Sequence, residues 1–174
     1  MAYTFEINPQ ALKRHFSVYV VVAQGRGKTL LYIGKTGDNR EGCNPLISRC
    51  GNHFSYNKVH SQVRNKIPAH ERWKYVYVFD HFDEYCAEIQ ARRSRIDRIN
   101  EMERWLNRLV QKAVSDYRRV KVINGYRGVG WRGSIEESKR LSFRTRAARS
   151  KLRRIVEEVV RILNSPNHSI SATK

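Results

Sequence analysis

The chain has 174 residues, 40% hydrophobic and 29% charged, with a mass of 20.5 kDa; that is enough apolar material for one compact domain, or a domain with an appendage, and it excludes disorder of the whole chain. Lys plus Arg number 34 against 16 Asp plus Glu, a formal charge of +18 and a pI near 10.3. Proteins usually carry such a surplus to meet a polyanion, and nucleic acid is the expected partner ahead of an anionic membrane surface.

The longest apolar run, residues 18–23, is too short to cross a bilayer. The opening residues lack the basic-then-apolar profile of a secretory signal, so a cytoplasmic location is expected. Cys43, Cys50 and Cys86 are scattered and odd in number, which fits neither a disulfide framework nor a zinc cage.

In chain order, residues 1–16 read as a lead-in with a possible helical turn after Asn8-Pro9. Residues 17–23, rich in β-branched and aromatic types, predict a strand, residues 24–28 a turn, and residues 29–34 a second strand paired antiparallel to the first. Gly27-Lys28-Thr29 imitates the end of a phosphate-binding P-loop. That motif needs a glycine five positions before Gly27, where Val22 stands, and a helix after it, where a strand is predicted.

After a polar stretch, Asn44-Pro45 predicts a helix start carrying Leu46, Ile47, Arg49, Cys50, His53 and Phe54, with Asn44 as the N-cap. A second helical stretch over 59–67 stops at Pro68, and residues 73–79 give the strongest strand signal of the chain. A long helix is predicted over 84–114, with Ile89, Ile96, Ile99, Glu103, Leu106 and Val110 on one stripe. Residues 120–124 form a short extended piece. A Gly/Arg loop, 125–133, precedes an arginine-rich helical region opened by Ser134 with Glu137 and reaching Asn164, and the tail from 165 is polar.

Three features bear on chemistry. Tyr19 and Tyr32, one per strand of the hairpin, can share a face of the sheet, although two half-buried core tyrosines would look the same. Arg49 and His53 lie one helical turn apart, so a phosphate-binding fork and a group that exchanges protons near neutral pH share one helix face; a solvated basic face is the competing reading. Glu103 falls on the apolar stripe, where a carboxylate is costly unless paired or bound to a metal, whereas Glu101 falls on the outer face with Asp97, Arg98, Arg104 and Arg108 and reads as solvated.

These residues together resemble the GIY-YIG nuclease family. Val18-Tyr19-Val20 stands in place of the first half of its motif and Tyr32-Ile33-Gly34 matches the second; Val18 and Val20 replace a glycine and an isoleucine. The family's arginine matches Arg49, and the four-residue step to His53 resembles GIY-YIG type II restriction enzymes. The metal-binding glutamate would be Glu103, and the asparagine that closes the core would be Asn124, at a longer spacing than is usual.

The resemblance implies an α/β (α+β) fold, a small sheet of three antiparallel-type strands flanked by helices, with the core over 17–124, a basic extension over 125–164 and a tail over 165–174. It implies single-metal phosphodiester hydrolysis with one Mg²⁺ or Mn²⁺. Tyr19 would be the general base, helped by a cation such as Lys35; Tyr32 and His53 would orient water or phosphate; Arg49 would bind the phosphate and Glu103 the metal.

The expected partner is double-stranded DNA, with Arg127, Arg132, Arg140, Arg144, Arg146 and Arg149 as candidate contacts and two copies meeting on it. A basic face that only supplies affinity is the competing and, for most of these arginines, the preferred reading. A sequence-specific restriction enzyme is the leading expectation. A catalytically inactive nucleic-acid-binding module, or a mobile-element or repair nuclease, is the alternative.

Overall fold

The computed structural model describes residues 2–25, 27–37, 42–57, 59–125 and 137–165. Strand β1 (His15–Gly25) pairs antiparallel with β2 (Lys28–Lys35) and, on its other side, with β3 (Lys74–Glu84); a short β4 (Val120–Val122) runs parallel to β2. The sheet is therefore mixed and has four strands, in the order β3-β1-β2-β4, where three antiparallel strands were expected. Three residues are too few for the sequence alone to separate a strand from an extended loop. Pairing comes from outside the segment: the Thr29 amide donates to the Arg119 carbonyl at 2.8 Å and the Ile123 amide to the Leu31 carbonyl at 2.9 Å.

Strand β1 is unbroken in apolar character from Val18 to Ala23 because it is central and covered on both faces. Val18, Val20, Val22, Leu31 and Ile33 face a core built with helices α3 (Ile89–Ala113) and α5 (Arg146–Asn164). Tyr19, Val21, Ala23 and Leu30 face the other way, towards α1 (Leu46–Phe54), α2 (Gln62–Lys66) and a single 3-10 turn at Pro9–Leu12. The hairpin and helix α1 were legible in the sequence, with one shift: Pro45, not Asn44, occupies the cap position, and no side chain caps the helix.

Helix α3 begins five residues later than expected, where the Glu88 carboxylate accepts from the amides of Gln90 and Ala91. Its buried set is Ile99, Glu101, Met102, Leu106, Asn107 and Val110, and Ile89, assigned to the stripe, is exposed. The larger correction is Glu101. Instead of a solvated charge it is buried, held by Arg144 at 2.7 Å and by Arg104 at 3.2 Å. A buried carboxylate persists when a hydrogen-bonded partner compensates its desolvation, and the partner that does so arrives from 43 residues away, beyond any helical periodicity.

The basic C-terminal region divides in two, α4 (Glu137–Ser142) and α5, with the Thr145 hydroxyl accepting from the Ala148 amide as the N-cap of α5. The expected cap at Ser134 lies outside the described residues. Among the described residues no helix is long and apolar enough to cross a membrane.

Candidate active site

The register of the hairpin builds the site. Tyr19 pairs with Gly34, and Val21 with Tyr32, so the two tyrosines lie diagonally on the face covered by α1. Gly34 leaves room for the Tyr19 ring: a Cβ there would stand 2.5 Å from Tyr19 Cζ and Oη. On α1, Arg49 and His53 face this pair. Tyr19 Oη lies 2.9 Å from His53 Nε2, the Tyr32 ring meets the imidazole edge-on at 5.1 Å, and Arg49 hydrogen-bonds the Tyr19 hydroxyl. The residues singled out from the hairpin and from α1 are thus brought together.

The electrostatics follow from burial. Tyr19 and His53 are 1% and 2% exposed. Burial holds the Tyr19 phenol well above its ordinary value; Tyr32 and the Glu103 carboxylate push it further, while Arg49 opposes through its charge and its hydrogen bond. Burial, and then the Arg49 charge, bring His53 down to about 4, so the imidazole is neutral at pH 7. The site at rest holds a protonated tyrosine against a neutral histidine.

Glu103 is half-buried on α3, close enough for its charge to act on Tyr19. It opens a row of polar side chains at four-residue steps, Glu103, Asn107 and Gln111, beside the apolar stripe. Gln111 Nε2 donates to Asn107 Oδ1 at 2.7 Å, and Asn107 Nδ2 to the Asn124 carbonyl at 3.1 Å. Asn124 in turn clasps β2 in the manner of a strand: its Oδ1 accepts from the Ile33 amide at 3.0 Å and its Nδ2 donates to the Ile33 carbonyl at 2.6 Å. Asn124 is a structural clamp on the segment that carries Tyr32 and Gly34.

A polar cleft of about 210 Å³ opens beside Arg49, lined also by Thr36, Asn44, Asn52 and His60. Among the described residues no group of three or more His, Cys, Asp or Glu could hold a metal ion. A donor set of one carboxylate, Glu103, does not suit zinc, which takes three or four protein ligands drawn from Cys, His and Asp/Glu. It does suit Mg²⁺, which binds through one or two carboxylates and keeps several waters.

Other expected residues fall elsewhere. Lys35 pairs with Val18, whose side chain is in the α3-side core, so it lies across the sheet from Tyr19; its ammonium donates to the Gly37 carbonyl at 2.8 Å. The cation that acts on Tyr19 is Arg49. Arg144 is engaged by Glu101 and, with Arg149, sits over the Trp105 ring at 5.6 and 5.7 Å, so its fork is spent on the fold. Arg140 lines the same small arginine cluster beside Glu101. Arg146 and Arg149 are exposed on α5, and Arg127 and Arg132 lie outside the described residues.

Three features went unread. Tyr77, on β3, lies 3.5 Å from His53 Nδ1 through its hydroxyl; the alternation Tyr75, Tyr77, Phe79 placed it on one face with its neighbours. Asn107 could have been found as a polar residue one turn after Glu103. At the hairpin end of the sheet, a larger cleft of about 690 Å³ is lined by Lys28, Lys74, Arg118, Arg119 and Arg161, cations drawn from four separate segments. Comparison with known proteins returns no matching family model, no matching curated protein and no matching solved structure, so any reading of this site rests on its own geometry.

Proposed function

We propose that the protein is a metal-dependent DNA endonuclease of the GIY-YIG type. The observation that carries this reading is the buried contact of Tyr19 Oη with His53 Nε2 at 2.9 Å, flanked by Arg49, Tyr32 and the charge of Glu103. A neutral imidazole against a phenol can receive its proton, and the guanidinium beside that phenol favours the phenolate so formed. As the attacking water gives its proton to Tyr19, Tyr19 passes its own to His53 Nε2. Neither group then needs to be charged at rest.

Arg49, whose fork matches a phosphate, stabilises the charge that grows on the phosphoryl oxygens, and the polar cleft beside it is the way in for the strand. Tyr32 orients the water or the scissile phosphate. Glu103 would hold one Mg²⁺ or Mn²⁺, which when bound supplies Lewis-acid stabilisation of the leaving oxygen.

The near-complete burial of Tyr19 favours a second reading, a catalytically inactive nucleic-acid-binding module on the same fold. Incubation of the purified protein with Mg²⁺ and plasmid or phage DNA, followed by mapping of the ends, separates the two. Defined ends support the nuclease and a restriction role; salt-sensitive binding with no cleavage supports the module.

The motif set occurs once per chain, so a double-strand cut at a symmetric sequence needs two copies, matched to the two-fold symmetry of the DNA. A charge of +18 opposes self-association in free solution. Sedimentation is expected to show a monomer at moderate salt and two copies on a specific duplex; a stable dimer without DNA contradicts the charge argument.

A further inference from the structure

His53 has two ring nitrogens, and only one can receive the Tyr19 proton if the other carries the ring hydrogen. The side chains around it decide which. Arg49 is a donor without an acceptor, and it hydrogen-bonds the Tyr19 oxygen. With a lone pair so engaged, the Tyr19 hydrogen is directed to its other neighbour, His53 Nε2, at 2.9 Å. Nε2 is then bare, and a neutral imidazole must carry its hydrogen on Nδ1.

Nδ1 faces Tyr77 Oη at 3.5 Å, longer than the usual ~2.7–3.2 Å of an N–H···O bond, so a small approach of the two groups completes it. Tyr77 is itself held from α1: its hydroxyl hydrogen-bonds the half-buried thiol of Cys50, one turn before His53. A hydroxyl that gives its hydrogen to sulfur leaves oxygen lone pairs for the Nδ1 hydrogen. The row Tyr19, His53, Tyr77, Cys50 can therefore be donated in one direction throughout. The rings are packed to match, with Tyr77 centred 5.9 Å from Tyr19 and 6.2 Å from His53.

We propose that Tyr77 is a positioning residue, which fixes His53 in the tautomer with hydrogen on Nδ1 and so turns a bare Nε2 towards the Tyr19 hydroxyl. The proposal rests on the nuclease reading for its purpose and on the side-chain geometry for its content. Without Tyr77 the Nδ1 hydrogen loses its acceptor and only the Arg49–Tyr19 side still favours a bare Nε2, so the balance moves towards hydrogen on Nε2, where it would face Tyr19 and block the transfer.

Nitrogen NMR of the imidazole rings, on the full chain without metal or DNA, tests this. Wild type is expected to show a protonated Nδ1 and a bare Nε2 at His53. In Tyr77→Phe the hydrogen should move towards Nε2, with thermal unfolding close to wild type because only a hydroxyl is lost. A bare Nδ1 in wild type, or an unchanged tautomer in Tyr77→Phe, overturns the proposal. Should Tyr77→Phe fail to fold, Cys50→Ala carries the test, since it removes the acceptor that orients the Tyr77 hydroxyl: the same shift supports the proposal and no shift contradicts it. In cleavage assays Tyr77→Phe should lower kcat on the order of tenfold, with DNA binding unchanged. If wild type cleaves nothing, the nuclease reading falls while the tautomer measurement still decides the placement of the proton.

Discussion

Tyr19 and Gly34 stand opposite one another on β1 and β2, and the phenol ring lies over the glycine so closely that a Cβ would meet its Cζ and Oη at 2.5 Å. The glycine's part is therefore steric and cross-strand: it leaves the space in which the ring turns towards His53. Gly34→Ala must push the ring aside or spread the hairpin. A displacement of about 1 Å at a reacting group can cost on the order of a hundredfold in rate, and overpacking a core typically costs about 1–3 kcal/mol. Both losses are expected, read by plasmid cleavage and by urea unfolding. Wild-type activity in Gly34→Ala would mean that the position of Tyr19 does not matter.

Arg49 touches Tyr19 and borders the polar cleft, so on the nuclease reading it would serve the base and the phosphate together. Arg49→Lys keeps the charge and loses the fork. The expected result is a fall in cleavage on the order of a hundredfold, with DNA affinity and its salt dependence nearly unchanged. Near-normal turnover would reduce Arg49 to a general phosphate anchor.

The depressed value of His53, about 4 against an ordinary 6.5, ties stability to pH. Between those values the unfolded chain binds a proton at this residue that the folded chain refuses. Stability therefore rises with pH across that window, and it is lost as pH falls from 6.5 towards 4. A shift of this size corresponds to about 3 kcal/mol. His81 is lowered too, by burial and by its neighbour His15, and it adds to the slope. Denaturant unfolding of wild type and His53→Gln across that range isolates the His53 part: the variant should show a shallower loss, and an equal slope would refute the burial of a neutral imidazole.

How much of this could be read from the sequence depended on how local each signal was. β1 and β2 announce themselves by residue type, and their register is fixed by the short turn, so the shared face of Tyr19 and Tyr32 was readable. The helical step joining Arg49 to His53 was equally local. What failed was long-range. The partner of Glu101 comes from another helix, the mate of β4 is a strand some ninety residues earlier, and Lys35 was linked to Tyr19 without the alternation that sends it to the other face. Tyr77 reaches His53 only once β3 takes its place beside β1.

Glu101 and Glu103, two of the three carboxylates of α3, give the sharpest contrast. Glu101 is buried between Arg104 and Arg144, and its removal leaves those guanidinium groups without their anion. Glu101→Gln should lower stability by about 2–3 kcal/mol, while the fraction that remains folded still cleaves. Glu103 is half-buried beside the site, and Glu103→Gln, which keeps the size of the side chain and an acceptor oxygen, should cost less stability than Glu101→Gln.

The measurement that tests the central claim most directly is cleavage of supercoiled plasmid in Mg²⁺ by wild type and by Glu103→Gln, at a protein concentration where both bind the DNA. The nuclease account predicts that wild type converts the plasmid to nicked and linear forms and that Glu103→Gln, equally folded and equally bound, leaves it supercoiled. Cleavage by Glu103→Gln at a substantial fraction of the wild-type rate, or intact plasmid with both proteins, would contradict it.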